Sequence, residues 1–221
     1  MTLVPPALLF DWDNTLIDTF PVIFAGHNTV RRALGEPEWT ADQARGIIRL
    51  AAKDAFPLWY KDRAREAEQV YVDYVRARHL DTLTVFDGSR DLLRYLHETG
   101  IPAGIVSNKR GEFLRAELDA LGWSSYFGVV IGADDIDGPA KPDPAGVLMA
   151  LDRLKLIGDA RAAAWFCGDT EADLQAAAAA GVKPVFIENN PMIAPEHLPT
   201  LNPHKAFSSP RECLAYLQTL S

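Results

Sequence analysis

Four short segments of the 221-residue chain carry side chains suited to moving a phosphoryl group. Asp11 and Asp13 stand two apart in Asp11-Trp12-Asp13-Asn14-Thr15. Ser107-Asn108-Lys109 follows an apolar run, Lys141 precedes Pro142, and Asp173 lies four residues beyond Asp169. A carboxylate such as Asp11 can attack phosphorus and form an acyl phosphate. Asp13 can protonate the leaving oxygen and then activate water. If Asp11, Asp13, Asp169 and Asp173 converge, each pair at ~4 Å repels by about 4 kcal/mol at an effective dielectric of 20. Such a cluster demands a cation. Carboxylate oxygens without His or Cys select a hard ion, magnesium first. Magnesium keeps positions open for water and a substrate phosphate, and Lys141 adds a second positive charge. The Ser107 hydroxyl, the Asn108 amide and nearby backbone N–H groups offer donors to phosphate oxygens. Nucleophile, acid/base, metal and oxygen donors are the parts phosphoryl transfer needs.

Positioning these residues is a task for strand ends. Ala7–Phe10 is a short apolar run that empties into the Asp11–Thr15 loop, as a buried strand does. Pro102–Val106, Val129–Ile131, Ala162–Cys167 and Val185–Ile187 read the same way. Helical segments lie between them, at Ser89–Glu98, Gly111–Leu121, from Lys141 to about Leu154, and at Asp173–Ala180. Strands alternating with helices predict a parallel sheet with helices on both faces, a Rossmann-like α/β fold. Ligands of such sheets bind beyond the carboxyl ends of the strands, and that rule selects Asp11, Asp13, Ser107, Asn108, Lys109, Asp169 and Asp173, with Lys141 at the start of the helix after another strand.

The stretch from Asp18 to about Leu83 is nearly all helical in pattern. Asp18 is a candidate N-cap, with Pro21 in the first turn. Thr40 or Asp42 caps a second helix, and one long charged helix runs from about Asp54 to Arg78. The expected division is therefore a core of 1–17 and 84–221 with a helical insertion over 18–83. Pro191–Pro210 reads as irregular, followed by a short helix over Arg211–Leu217.

Composition narrows the classes. Lys plus Arg is 22 and Asp plus Glu is 30, a net charge of −8. That balance argues against a nucleic-acid partner. Two cysteines, Cys167 and Cys213, make neither a disulfide framework nor a zinc site. No signal-like start and no apolar run of ~18 residues occurs, so the sequence predicts a cytoplasmic protein without membrane contact.

The quoted motifs resemble the haloacid dehalogenase-type phosphohydrolase superfamily. The matching segments are Asp11-Trp12-Asp13-Asn14-Thr15-Leu16, Ser107-Asn108, Lys141-Pro142 and Gly168-Asp169-Thr170-Glu171-Ala172-Asp173, in the family's order. The resemblance spans about Leu8 to Glu188, and its details are most similar to the phosphoglycolate phosphatase-like branch. It implies that the insertion is a C1 cap. It implies that Asp11 is nucleophile and metal ligand, and that Asp13 is acid/base and binds Mg2+ through its backbone carbonyl. Ser107, Asn108 and Lys141 then bind phosphate, Asp169 ligates the metal, and Asp173 supports it. Asn14 stands where many relatives carry Gly, and Asn tolerates the left-handed conformation better than most residues.

The expected activity is magnesium-dependent hydrolysis of a small metabolite phosphomonoester, with phosphoglycolate the leading substrate and a monomer or homodimer as the form. Asp13 argues against a dehalogenase. A sugar-phosphate mutase, a phosphonate hydrolase using Lys53, and a non-catalytic binding module remain as alternatives. Arg49 and Lys53, four apart, read as a solvated face or as substrate contacts. Phe56, Trp59 and Tyr60 read as cap packing. His27, His79, His97, His197 and His204 read as structural or surface residues.

Overall fold

A computed structural model describes residues 4–48, 50–81, 83–188 and 202–220. Six parallel strands form the core sheet: β1 (Leu8–Phe10), β4 (Ala103–Val106), β5 (Val129–Ile131), β6 (Trp165–Gly168), β7 (Lys183–Ile187) and β8 (Lys205–Phe207), in the order β5-β4-β1-β6-β7-β8. Two further short strands, β2 (Ile17–Asp18) and β3 (Thr84–Val85), pair antiparallel as a separate ribbon. β1 shows why the strands lack polar alternation. Leu8 and Phe10 enter one buried cluster and Leu9 the other, so both faces are covered by apolar side chains.

The helices on the sheet are α5 (Ser89–Thr99), α6 (Gly111–Leu121), α7 (Ala145–Arg153), α8 (Gly158–Ala163), α9 (Glu171–Ala179) and α10 (Pro210–Gln218). Between β2 and β3 the chain is helical: α1 (Phe20–Ala33), α2 (Ala41–Ile47), α3 (Ala52–Tyr60) and α4 (Ala64–Arg78). This is the α/β architecture with an all-helical insertion that the sequence predicts.

Several local expectations are corrected. The single helix over Asp54–Arg78 is two. Lys61 adopts a positive φ of 49°, a 3₁₀ turn follows, and α3 folds back onto α4. The gain is an aromatic and apolar cluster of Phe56, Tyr60 and Ala67 with Trp59 and Tyr71 against it. Asp18 does not cap α1; it lies in β2 opposite Thr84. Thr19 holds the N-cap position without a side-chain cap bond, because its hydroxyl donates to Asp13. Ala162 and Ala163 end α8 rather than begin a strand. Part of the supposedly irregular tail is β8, and residues 189–201 lie outside the described residues. α2 is capped as anticipated at Thr40, in a reciprocal box with Gln43. No described helix is long and apolar enough to cross a membrane.

Candidate active site

The strand order places the site. From β1 the chain moves outward through β4 to β5, then returns to β6 on the other side of β1. The crevice at such a reversal is where open sheets bind ligands. Asp11 leaves β1 there, Ser107 leaves β4 and Asp169 leaves β6. Backbone bonds carry the sheet geometry one residue past the strand ends, from Asp11 N–H to the Cys167 carbonyl (2.8 Å) and from Ser107 N–H to the Ile131 carbonyl (2.9 Å).

Carboxylate oxygens of Asp11, Asp169 and Asp173 lie within 4.8 Å of one another, and all three residues are buried. Lys141 is buried among them. Its Nζ lies 2.5 Å from Asp11 Oδ1 and 2.6 Å from Asp173 Oδ1. Burial above all, helped by the charges of Asp173 and Asp13, raises the Asp11 carboxyl to about 7 against the pull of Lys141. Burial alone would lower the Lys141 ammonium, yet the charges of Asp11 and Asp173 raise it above its ordinary value. Three buried carboxylates against one ammonium leave an excess of negative charge, the condition under which a divalent cation is favoured.

The carboxylates are not equivalent. Asp173 closes a capping box at the head of α9: its Oδ2 accepts from Thr170 N–H (2.9 Å) and from the Thr170 hydroxyl (2.6 Å). With Oδ1 on Lys141, both its oxygens are engaged, which suits a supporting role better than direct ligation. Asp169 accepts from the Thr15 hydroxyl at 3.2 Å. Gly168 makes the approach possible, since a Cβ there would lie 2.3 Å from Asp173 Cβ.

Asp13 stands on the loop after β1, held at Oδ1 by the Thr19 hydroxyl and by Lys109 Nζ, each at 2.6 Å. Asn14 takes φ 59°, the left-handed conformation its side chain tolerates. Ser107 is buried and its hydroxyl accepts from Lys109 N–H at 3.1 Å. The Asn108 side chain engages the backbone of Lys141 at both ends, so it positions that lysine. Lys141 lies upstream of α7, whose N-cap is Pro144.

A cavity of about 350 Å³ opens above these groups. Asp11, Asp13, Ser107, Lys141 and Asp169 form its floor, while Phe20, Val22, Ile48, Val72 and Phe113 contribute an apolar roof, mostly from the helical insertion. The insertion is seated on the core: Lys53 Nζ donates to the Gly138 carbonyl at 2.8 Å, and Asp54 accepts from Ala140 N–H at 3.2 Å. Lys53 therefore spends its ammonium on backbone carbonyls, and Arg49 lies outside the described residues. Phe56, Trp59 and Tyr60 pack within the insertion, as expected.

Lys109, Glu117, Trp12 and His79 form a buried polar cluster behind Asp13; the sequence motifs contain Lys109 and Trp12 without giving them this role, and Glu117 lies outside them. A signal existed. Phe113, Leu114, Glu117 and Leu118 share one face of α6, and an acid in an apolar stripe needs a partner.

Comparison with known proteins agrees with this geometry. Residues 8–187 match the family model described as haloacid dehalogenase-like hydrolase. A phosphoglycolate phosphatase of Pseudomonas fluorescens is 31% identical over 90% of this chain and 76% of its own length. One from Xanthomonas campestris is 32% identical over 82% of each chain. A solved haloacid dehalogenase-like family hydrolase from Streptococcus pneumoniae superposes with a TM-score of 0.82 at 26% identity, covering 98% of this chain and 99% of that one.

Proposed function

This chain belongs to the haloacid dehalogenase-like hydrolase family, and on that premise we propose that it is a magnesium-dependent phosphomonoesterase acting on a small organic phosphate through an aspartyl phosphate on Asp11. The observation that carries the reading is the buried triad of Asp11, Asp169 and Asp173 with Lys141 among them, beneath a cavity that Asp11, Lys141 and Asp169 line. Lys141 occupies Oδ1 of Asp11, so Oδ2 is the oxygen offered to phosphorus. As the Asp11–phosphorus bond forms, the bond to the leaving oxygen breaks and Asp13 supplies that oxygen's proton. Asp13 then takes a proton from the water that attacks phosphorus, and Asp11 is released with inorganic phosphate. Asp11 and Asp169, with the Asp13 backbone carbonyl, would hold the magnesium ion, and Asp173 would stand behind them. That ion, when bound, supplies positive charge at the phosphoryl oxygens. Ser107, Lys141 and the backbone N–H groups around Asn108 receive the phosphate.

We take 1–17 with 84–221 as the core and 18–83 as the cap. The pairing of β2 with β3 supports this, because it sets the two chain crossings side by side. The cap roof shields the site from bulk solvent and leaves room for the single water that Asp13 activates. Phosphoglycolate is the first substrate to test, since it names the relatives above. The deciding experiment measures phosphate release from a panel of metabolite phosphates, with magnesium and with chelator, alongside Asp11→Asn. Turnover that needs magnesium and vanishes in the variant is expected. No release from folded wild-type protein would overturn the reading.

A further inference from the structure

Asp13 is braced from behind by a buried chain of hydrogen bonds that reaches the cap. Lys109 Nζ lies 2.6 Å from Asp13 Oδ1, and 2.8 and 2.7 Å from Oε1 and Oε2 of Glu117. Glu117 is fully buried. It also accepts the Trp12 indole N–H at 2.6 Å and meets His79 Nδ1 at 2.9 Å. A carboxylate only accepts, so Nδ1 of His79 carries a proton in this contact. Lys109 and Glu117 belong to the β4–α6 segment of the core, whereas His79 caps the C-terminus of α4.

Packing alone does not call for these charges. Buried ion pairs are often no better for stability than apolar residues of similar volume, and Glu117 occupies the apolar face of α6. What the cluster does provide is direction. Thr19 and Lys109 both hold Oδ1 of Asp13, which leaves Oδ2 as the oxygen turned to the cavity that Asp13 lines. A general acid works only within hydrogen-bond reach of the leaving oxygen, and small misplacements are costly.

We propose that Lys109, anchored by Glu117, is a positioning residue that aims Asp13 at the leaving group, and that His79 ties this aim to the seating of α4. The proposal rests on the reading of Asp13 as the acid/base.

The test compares two substrates of similar size whose leaving groups differ in their need for a proton. The alcohol of benzyl phosphate needs one; the phenolate of 4-nitrophenyl phosphate leaves without it. The measured quantity is kcat/KM, which counts only steps through transfer to Asp11, so the later water step cannot mask the result. General acid catalysis is worth about 10²–10⁴-fold. For Lys109→Met and Glu117→Gln we expect kcat/KM for benzyl phosphate to fall about tenfold or more, with 4-nitrophenyl phosphate held within about threefold. Lys109→Arg should recover part of the loss, and His79→Ala should show the same selectivity at smaller size. Glu117→Gln is nearly isosteric and carries the test if Lys109→Met does not fold. Equal losses on both substrates, or none, would overturn the positioning role alone. Wild-type protein inactive on both would overturn it together with the reading of Asp13.

Discussion

Asn108 and Lys141 hold each other by a reciprocal pair of hydrogen bonds across 33 residues of sequence. The Asn108 amide donates to the Lys141 carbonyl at 3.1 Å, and its oxygen accepts the Lys141 N–H at 2.9 Å. The loop carrying Lys141 is thereby fastened to the end of β4, and the ammonium lands between Asp11 and Asp173.

That clamp predicts the behaviour of Asn108→Ala. Two buried backbone groups lose their partner, at about 1–3 kcal/mol of stability. The Lys141 ammonium loses its fixed origin, and kcat/KM should fall about 10- to 100-fold. Urea unfolding and steady-state kinetics measure both effects. A fully active Asn108→Ala protein would show that Lys141 is placed by other contacts.

Gly168→Ala should disable the site through backbone crowding. The added Cβ would meet Asp173 Cβ at 2.3 Å and Cγ at 2.4 Å, and must push the head of α9 away from Lys141. Gly46→Ala in α2 meets nothing within 4 Å and should stabilise the helix by about 0.5–1 kcal/mol. Thermal melts of the two variants should move in opposite directions. An active, unshifted Gly168→Ala protein would mean the site tolerates a displaced Asp173.

The parts of the molecule legible in the sequence were those whose signals are local. Leu8–Phe10 ending in Asp11, and Trp165–Cys167 ending near Asp169, are apolar runs that stop at polar residues, and strand and site residue declare each other. Lys61 gave no such warning: the one nearby breaker, Pro57, lies inside α3 and not at the break, and only the packing of Phe56 and Tyr60 against α4 rewards the positive φ of Lys61. The strand Lys205–Phe207 is three residues long with Phe207 alone fully buried, and only its pairing with β7 identifies it. Lys109 and His79 are polar residues whose meaning depends on Glu117, which long-range folding brings to them.

Metal binding should register as stability. The excess negative charge of Asp11, Asp169 and Asp173 is relieved by a cation, so magnesium at about 100 times its Kd should stabilise the fold by about 2.7 kcal/mol. A melt with magnesium and with chelator should differ by several degrees. Asp169→Asn removes a buried charge from the triad and should lose most of that difference. An equal rise in the variant would place the bound ion elsewhere.

His27 makes acid sensitivity a property of the cap. Its ring is buried against Trp39, Phe56, Trp59 and Tyr71, at centroid distances of 4.9 to 5.8 Å, and its Nδ1 has no hydrogen-bond partner. Burial lowers its pKa from 6.5 to about 3. The folded state therefore keeps His27 neutral between those values, whereas the unfolded chain binds a proton. Stability must fall as pH drops through that window, by about 1.4 kcal/mol per unit once below the unfolded pKa. Between pH 7.5 and 5.0 the residue should cost about 2 kcal/mol. His27→Phe has no proton to bind and fills nearly the same space among the aromatic rings. Its stability relative to wild type should improve by about 2 kcal/mol between those two pH values, as read from urea unfolding at each. A difference that stays constant with pH would show that His27 is protonated, or solvated, in the folded protein.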